Sequence, residues 1–248
     1  MANLVLRSFT AVFGICAIAW AVDVIPVFRS GASFAENARL ALSGDRFSAV
    51  QLSAMKRELN AASTKPLQAS ALTGVVTIRL LLLESTMSAG NRPPPASDLA
   101  DLRTAVDAAL AQSPTSSFMW LTDIWLKRLN GDFADSDWNL LRMSYWSGPN
   151  EAWIAVRRNP LALGAFQSLP GDLAERAISE FVALVRSGLY AEASNIVAGP
   201  GWAIHEQLLS RLAGVDEAHR HGFARALASK DLDGATVPGV EDRHSRPF

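Results

Sequence analysis

The sequence predicts an all-α protein with one membrane-spanning helix at its amino terminus, and three observations predict it. Apolar residues recur at helical spacing through most of the chain. No stretch alternates apolar and polar residues as a half-buried strand does, and no hairpin signal lies between two apolar runs. Residues 8–28 are almost continuously apolar. With 49% apolar and 19% charged residues among 248, the composition is that of a globular chain with one membrane segment.

The apolar run at residues 8–28 is long enough to cross a bilayer. At about 1.5 Å per residue, a helix over this run matches a hydrocarbon layer of about 30 Å. Trp20 suits the aromatic belt, and Asp23 lies near the far end, where it can reach the interface. We therefore expect residues 1–30 to form a single-pass signal anchor. The expected location is a bacterial inner membrane, with the bulk of the chain in the periplasm.

A cleaved signal peptide is the alternative for the same run. Ala19-Trp20-Ala21 has the small-x-small form that signal peptidase accepts. Apolar residues continue past this point as far as Phe28, which favours the anchor. The alternative stays open at this stage.

The remaining chain predicts a series of helices separated by Gly and Pro signals. A short linker is expected at residues 30 and 31, and a loop at Pro93-Pro94-Pro95. This loop would divide an N-terminal helical subdomain, residues 31–90, from a Trp-rich domain, residues 97–230. Gly, Pro and charged residues predict a flexible tail over residues 231–248. The helices are expected at residues 34–43, 48–62, 65–83, 99–112, 116–130, 134–147, 151–167, 173–187, 191–197, 202–213 and 216–230.

The Trp-rich stretch at residues 114–160 is the predicted centre of the fold. Five of the seven Trp residues of the chain lie in it. Large aromatic side chains dominate cores and interfaces because each covers a large apolar area. The helical spacing of Trp120 with Trp125, and of Trp138 with Trp146, predicts burial between pairs of helices.

Two turns share the pattern Gly-x-aromatic-x-x-small. They are Gly131-Asp132-Phe133-Ala134-Asp135-Ser136 and Gly188-Leu189-Tyr190-Ala191-Glu192-Ala193, and the segment from Gly44 to Ala49 is a looser version. The pattern resembles the inter-helix turn of tetratricopeptide repeats. Trp120 and Pro149 stand at or next to positions where that family has Trp and Pro. The resemblance implies a degenerate solenoid of helical hairpins, whose extended surface would hold a partner protein.

The motifs of common catalytic and metal sites are missing from the sequence. It has no His-Glu-x-x-His, no Gly-x-Ser-x-Gly, no Walker loop and no dinucleotide fingerprint. The net charge of -1 gives no strong attraction to nucleic acid. We therefore expect a non-enzymatic protein without catalytic residues, metal or cofactor, and without a nucleic-acid partner.

Aromatic and basic residues of the Trp-rich stretch form the candidate binding surface. In the first hypothesis this surface holds an envelope protein partner, for example in polysaccharide assembly or export. In the alternative, it binds a glycan or a lipid-linked sugar directly, because exposed Trp faces suit pyranose rings. A small subunit of a larger membrane complex is a third hypothesis. The candidate residues are Trp120, Trp125, Arg142, Trp146, Trp153, Arg157 and Arg158.

Overall fold

The computed structural model describes residues 2–42, 47–62, 67–90, 93–230, 232 and 234–240. These residues contain helices and turns and no β-strand, which confirms the predicted all-α class. The chain divides into two compact units, residues 1–115 and residues 116–248.

Unit 1, residues 1–115, is built around its third helix. That helix packs against the other three helices of the unit. The loop at Pro93–Pro95, where a subdomain boundary was expected, thus joins two helices of the same unit. The predicted helix start at Lys65-Pro66 lies outside the described residues. The helices are α1 (Ala2–Leu42), α2 (Ala49–Ala62), α3 (Ala69–Gly90) and α4 (Ala96–Gln112).

Helices α1 and α3 approach each other closely through small residues. A Cβ atom added at Gly31 would lie 2.5 Å from Ala71 Cβ, and one added at Gly74 would lie 2.5 Å from the carbonyl oxygen of Phe34. Since residue 31 meets residue 71 and residue 34 meets residue 74, the two helices run parallel. The first half of α1 therefore extends beyond the start of α3.

Helix α1 continues without a break through residues 30 and 31, where the sequence predicted a linker. Its second half belongs to the core of unit 1, because Phe34 and Ala38 are only 1% and 5% exposed. In its first half, by contrast, large apolar side chains such as Phe13 and Ile18 are mostly exposed. One helix therefore joins an unpacked apolar segment to a packed core.

One helix within the described ranges, Ala69–Ser88 of α3, is long and apolar enough to cross a membrane. The core helix of a globular unit meets the same criteria. Val76 and Ile78 on this helix are completely buried in unit 1, and Arg79 Nη1 lies 2.8 Å from Asp101 Oδ2 on α4. The packing of α3 is thus that of a core helix. Within the predicted anchor, the described residues contain a shorter apolar helical stretch, Phe9–Val22.

Unit 2, residues 116–248, consists of helices that pack largely on their neighbours along the chain. Helix α5 packs on α6, α7 packs on α8, and α9 packs on α11, while α7 also contacts α5 and α9. The helices, in order, are α5 (Ser117–Asn130), α6 (Trp138–Ser147), α7 (Ala152–Leu163), α8 (Gly171–Arg186), α9 (Tyr190–Ala198), α10 (His205–Ser210) and α11 (Glu217–Ala228).

Several predicted boundaries in unit 2 differ from the observed ones. The helix expected at residues 202–213 is a short α-helix, α10, between two 3-10 turns. Helix α7 contains Pro160 and ends at Leu163, before the predicted end at residue 167. Part of the expected flexible tail packs on α11, because Val237 is 6% exposed and Arg220 donates a hydrogen bond to the carbonyl oxygen of Pro238. Residues 241–248 lie outside the described part.

The Gly131 and Gly188 turns both place glycine in the left-handed region, with φ of 75° and 76°. The Gly131 N–H donates to the carbonyl oxygen of Arg128, which closes the end of α5. The aromatic residue of this turn, Phe133, packs edge-on against Trp138 with 4.7 Å between ring centroids. Residues 44–46 of the related segment lie outside the described residues.

Replacing Gly222 with alanine is expected to destabilise unit 2. A Cβ atom at this position would lie 2.5 Å from the Tyr190 ring, so α9 and α11 would have to separate. Overpacking costs about 1–3 kcal/mol, whereas alanine gains only about 0.5–1 kcal/mol over glycine within a helix. Thermal unfolding measures the difference. Gly171→Ala is the control, because nothing lies within 4 Å of its added Cβ; equal melting temperatures for the two variants would contradict this packing.

Candidate functional site

A buried ion pair between Arg158 on α7 and Glu180 on α8 lies in the interior of unit 2. The Arg158 side chain is 0% exposed, and its Nη2 and Nε atoms lie 2.6 Å and 3.0 Å from Glu180 Oε1. A buried charge is tolerated only when it is paired and hydrogen-bonded. This ion pair therefore fixes the register of α7 against α8.

The remaining donors of Arg158 connect this ion pair to α5 and α6. Arg158 Nη1 donates to the carbonyl oxygen of Ser144 at 2.6 Å, and Nη2 donates to that of Gly148 at 3.1 Å. Ser117 Oγ, at the start of α5, donates to the same Ser144 oxygen at 2.8 Å. The guanidinium also lies 4.1 Å from the centroid of the Tyr145 ring. One side chain thus ties four consecutive helices together.

Glu180 receives its other hydrogen bonds from Tyr145 and Asn159. The Tyr145 hydroxyl donates to Glu180 Oε2 at 3.1 Å, and Asn159 Nδ2 lies 3.4 Å from the same atom. Burial raises the pKa of Glu180, and Arg158 with these two donors opposes that rise. Burial, followed by the neighbouring Glu180, raises the pKa of Tyr145 and keeps it a neutral donor. Arg158 and Glu180 pair with each other inside the protein, so we interpret this buried network as structural.

The structure distributes the seven predicted surface residues between the interior and the exterior of unit 2. Arg158 is completely buried and contributes nothing to the surface. Trp120 and Trp125 are half-buried. Trp138, predicted as a core residue, is 2% exposed. Trp146, for which the spacing with Trp138 predicted burial, is 70% exposed, so that prediction is wrong for Trp146. The fully or partly exposed members are Arg142, Trp146, Trp153 and Arg157.

Trp153 and Arg157 form an exposed pair one turn apart on α7, which we call the Trp153 patch. Trp153 is 36% exposed, and its ring packs against buried Phe118 at 5.2 Å between centroids. The Arg157 guanidinium lies 6.0 Å from the centroid of the Trp153 ring. The patch therefore combines an anchored aromatic ring with an accessible cation.

A second exposed feature is a groove of about 430 Å³ between α6 and α8. Arg142 Nε and Nη2 each lie 2.8 Å from an oxygen of Asp172. The hydrogen bond to Arg142 holds the pKa of Asp172 below its usual value, and the hydrogen bond to Asp172 raises the pKa of Arg142. The lining residues are Arg142, Met143, Trp146, Asp172 and Arg176.

Sequence reasoning found Arg142 and Trp146 of this groove and missed its α8 side. Asp172 and Arg176 are one helical turn apart and share a face of α8, as Arg142 and Trp146 do on α6. That spacing is visible in the sequence. The sequence does not specify the register of α6 against α8, which places these two pairs opposite each other.

Titratable groups elsewhere in the described residues form no group of three His, Cys, Asp or Glu that could hold a metal ion. One series of contacts between titratable side chains joins α9 to α11. The Tyr190 hydroxyl lies 2.7 Å from His219 Nδ1, and His219 Nε2 lies 3.7 Å from Asp216 Oδ2. Asp216 also caps α11 by accepting a hydrogen bond from the backbone N–H of His219. We therefore interpret these three side chains as a structural link between α9 and α11.

No known protein family, no curated protein and no solved structure matches this chain.

Proposed function

We propose that this protein is a single-pass, membrane-anchored helical scaffold, non-enzymatic, whose unit 2 binds a protein partner of the bacterial envelope. The observation that carries the proposal is the exposed first half of α1. Its large apolar side chains are 50–70% exposed, namely Phe9, Val12, Phe13, Ile15, Ile18, Trp20, Val22 and Ile25. Such a segment requires an apolar environment outside the protein.

The apolar side chains surround α1 on every side. At about 100° per residue, Phe9 and Ile18 lie on opposite faces. Val12 and Ile15 lie between them on one side, and the small side chain of Ala17 lies on the other. A helix that is apolar all round is typical of a membrane span, whereas a partner protein covers a single stripe. Lipid is therefore the environment that fits this segment.

The energy of transfer into lipid is large enough to hold the protein at a membrane. Full burial of a large apolar side chain gains about 1.5–3 kcal/mol. Eight side chains that are mostly exposed therefore gain on the order of 10 kcal/mol together. This gain supports stable insertion rather than a transient surface contact.

The continuity of α1 supports an anchor that is retained. The cleavage-like motif Ala19-Trp20-Ala21 lies inside the helix, and proteases bind their substrates in an extended conformation. Downstream of it, the same helix enters the core of unit 1 at Phe34. In our proposal the membrane segment continues into the packed part of unit 1 as one helix. The bulk of the chain lies in the periplasm.

The packing of unit 2 supports a solenoid of tetratricopeptide-like hairpins as the binding part. Neighbouring helices pack in pairs, and α7 contacts the helices of the pairs before and after it. The Trp153 patch is the proposed contact surface. Trp and Arg are enriched among the residues that contribute most to protein interfaces.

Site-specific photo-cross-linking in native membranes tests the scaffold proposal. A photo-reactive residue replaces Ala152, which is exposed next to Trp153, in the full chain, and a control replaces Asp107, which is exposed on α4. We expect a single envelope protein to be captured at position 152, not at position 107, and to be lost in the Trp153→Ala variant. Absence of any adduct at position 152, or identical adducts at both positions, would contradict the proposal.

A further inference from the structure

The groove between α6 and α8 carries an accessible cation beside an accessible aromatic face. Arg176 is exposed and makes no hydrogen bond or ion pair with any residue that the structure describes. Trp146 is 70% exposed, although it is one of the largest apolar side chains of unit 2. Trp146 and Arg176 are therefore both accessible to a ligand in the same groove.

The charges of the groove leave one positive charge unbalanced. Asp172 is ionised at neutral pH, and the hydrogen bond from Arg142 holds its pKa further below the usual value. It therefore cancels the charge of Arg142, and Arg176 remains uncompensated. Arg142 itself is held in place by Asp172 and by a 3.0 Å hydrogen bond from Nη1 to Asn139 Oδ1. It still has N–H groups left for a ligand, because a guanidinium has five.

The shape of the groove selects the kind of anion. The groove is open to solvent, and its volume is about 430 Å³. The exposed Trp146 ring offers a flat apolar face, and a guanidinium matches a carboxylate with two parallel hydrogen bonds. A ligand that carries a carboxylate on a rigid ring with an apolar face uses both.

We propose that this groove binds a hexuronic acid residue of an acidic polysaccharide. The sugar ring stacks on Trp146, its carboxylate pairs with Arg176, and Arg142 donates to a ring hydroxyl. An acidic peptide supplies the carboxylate on a flexible side chain, which loses more conformational freedom on binding and leaves Trp146 uncovered. This site is separate from the Trp153 patch and does not depend on the scaffold function.

Titration of the full chain in lipid nanodiscs with galacturonic acid oligomers tests the proposal. The matched control ligand is the methyl ester of the same oligomer, which keeps the rings and removes the charge. We expect the acid to bind at least about tenfold more tightly than the ester, the equivalent of one charge-assisted hydrogen bond. Binding of the acid should weaken as salt is added. A glutamate-rich peptide of equal charge should bind more weakly than the oligomer.

Variants of the groove separate this site from binding elsewhere. Arg176→Gln and Trp146→Ala should each lower the affinity for the acid oligomer by about tenfold, without a change in the far-UV circular dichroism of the protein. Arg225→Gln and Trp202→Phe, at exposed positions outside the groove, should leave the affinity unchanged. The proposal is overturned if no oligomer binds at about 1 mM, if acid and ester bind equally, or if the groove variants match the controls. Tighter binding of the peptide would also overturn it, by assigning the groove to acidic proteins.

Discussion

Replacing Arg158 with methionine is expected to lower the free energy of unfolding of unit 2 by about 3–5 kcal/mol, the cost of leaving one member of a buried ion pair without its partner. Methionine preserves much of the side-chain volume but removes every donor. Glu180 then keeps only its bonds from Tyr145 and Asn159, and the carbonyl oxygens of Ser144 and Gly148 lose a donor. Denaturant unfolding followed by tryptophan emission measures the loss.

The neighbouring residue supplies a matched control for this prediction. Arg157→Met makes the same chemical change on an exposed side chain of the same helix, and surface substitutions stay within about 0.5 kcal/mol of neutral. The double variant Arg158→Met with Glu180→Leu should recover part of the loss, because no unpaired charge remains buried. If Arg158→Met is as stable as Arg157→Met, the buried network does not hold the four helices together.

Replacing Ile15 and Ile18 with aspartate is expected to release the protein from membranes. Each charge near the centre of a membrane helix costs about 2.5–3.5 kcal/mol, so two cost about 5–7 kcal/mol. That loss removes most of the gain of order 10 kcal/mol estimated for the segment. The measurement is the fraction of full-length protein that stays in the membrane pellet after an alkaline carbonate wash.

Val50→Asp is the control for the aspartate variant. Val50 is an apolar residue that is 76% exposed on α2, outside the apolar segment, and the same charge there should leave membrane retention unchanged. Circular dichroism confirms that each variant is folded. A double aspartate variant that stays in the pellet as completely as the unmodified protein would remove the basis for an anchor at residues 8–28.

Local signals in the sequence were sufficient to predict the helices and the two glycine turns. Helical spacing of apolar residues depends on the chain alone, and so does the left-handed conformation that Gly131 and Gly188 allow. The break expected at residues 30 and 31 is wrong for a tertiary reason. Gly31 is small because Ala71 of α3 packs directly against it, not because the chain turns there.

The burial of Arg158 was not predicted, although the sequence carries a signal for it. Apolar residues of α7 at positions 154, 155 and 162 place residue 158 on the buried face, and Arg157 one position away faces solvent. Glu180 interrupts the apolar face of α8 in the same way. Two opposite charges that interrupt two apolar stripes indicate a buried pair. Whether the two charges meet depends on the register of α7 against α8, and the groove depends in the same way on the register of α6 against α8. A single sequence does not specify these registers.

Thiol labelling of Cys16, the single cysteine of the chain, tests membrane anchoring most directly. Cys16 is exposed on α1 in the middle of the apolar segment, so water surrounds it unless lipid does. A water-soluble maleimide is added to native membranes before and after dissolution in denaturing detergent, with Ser229→Cys in a Cys16→Ala background as the exposed control. We expect Cys16 to react only after dissolution, whereas the control reacts in permeabilised membranes. Labelling of Cys16 in those membranes as fast as the control would contradict membrane anchoring.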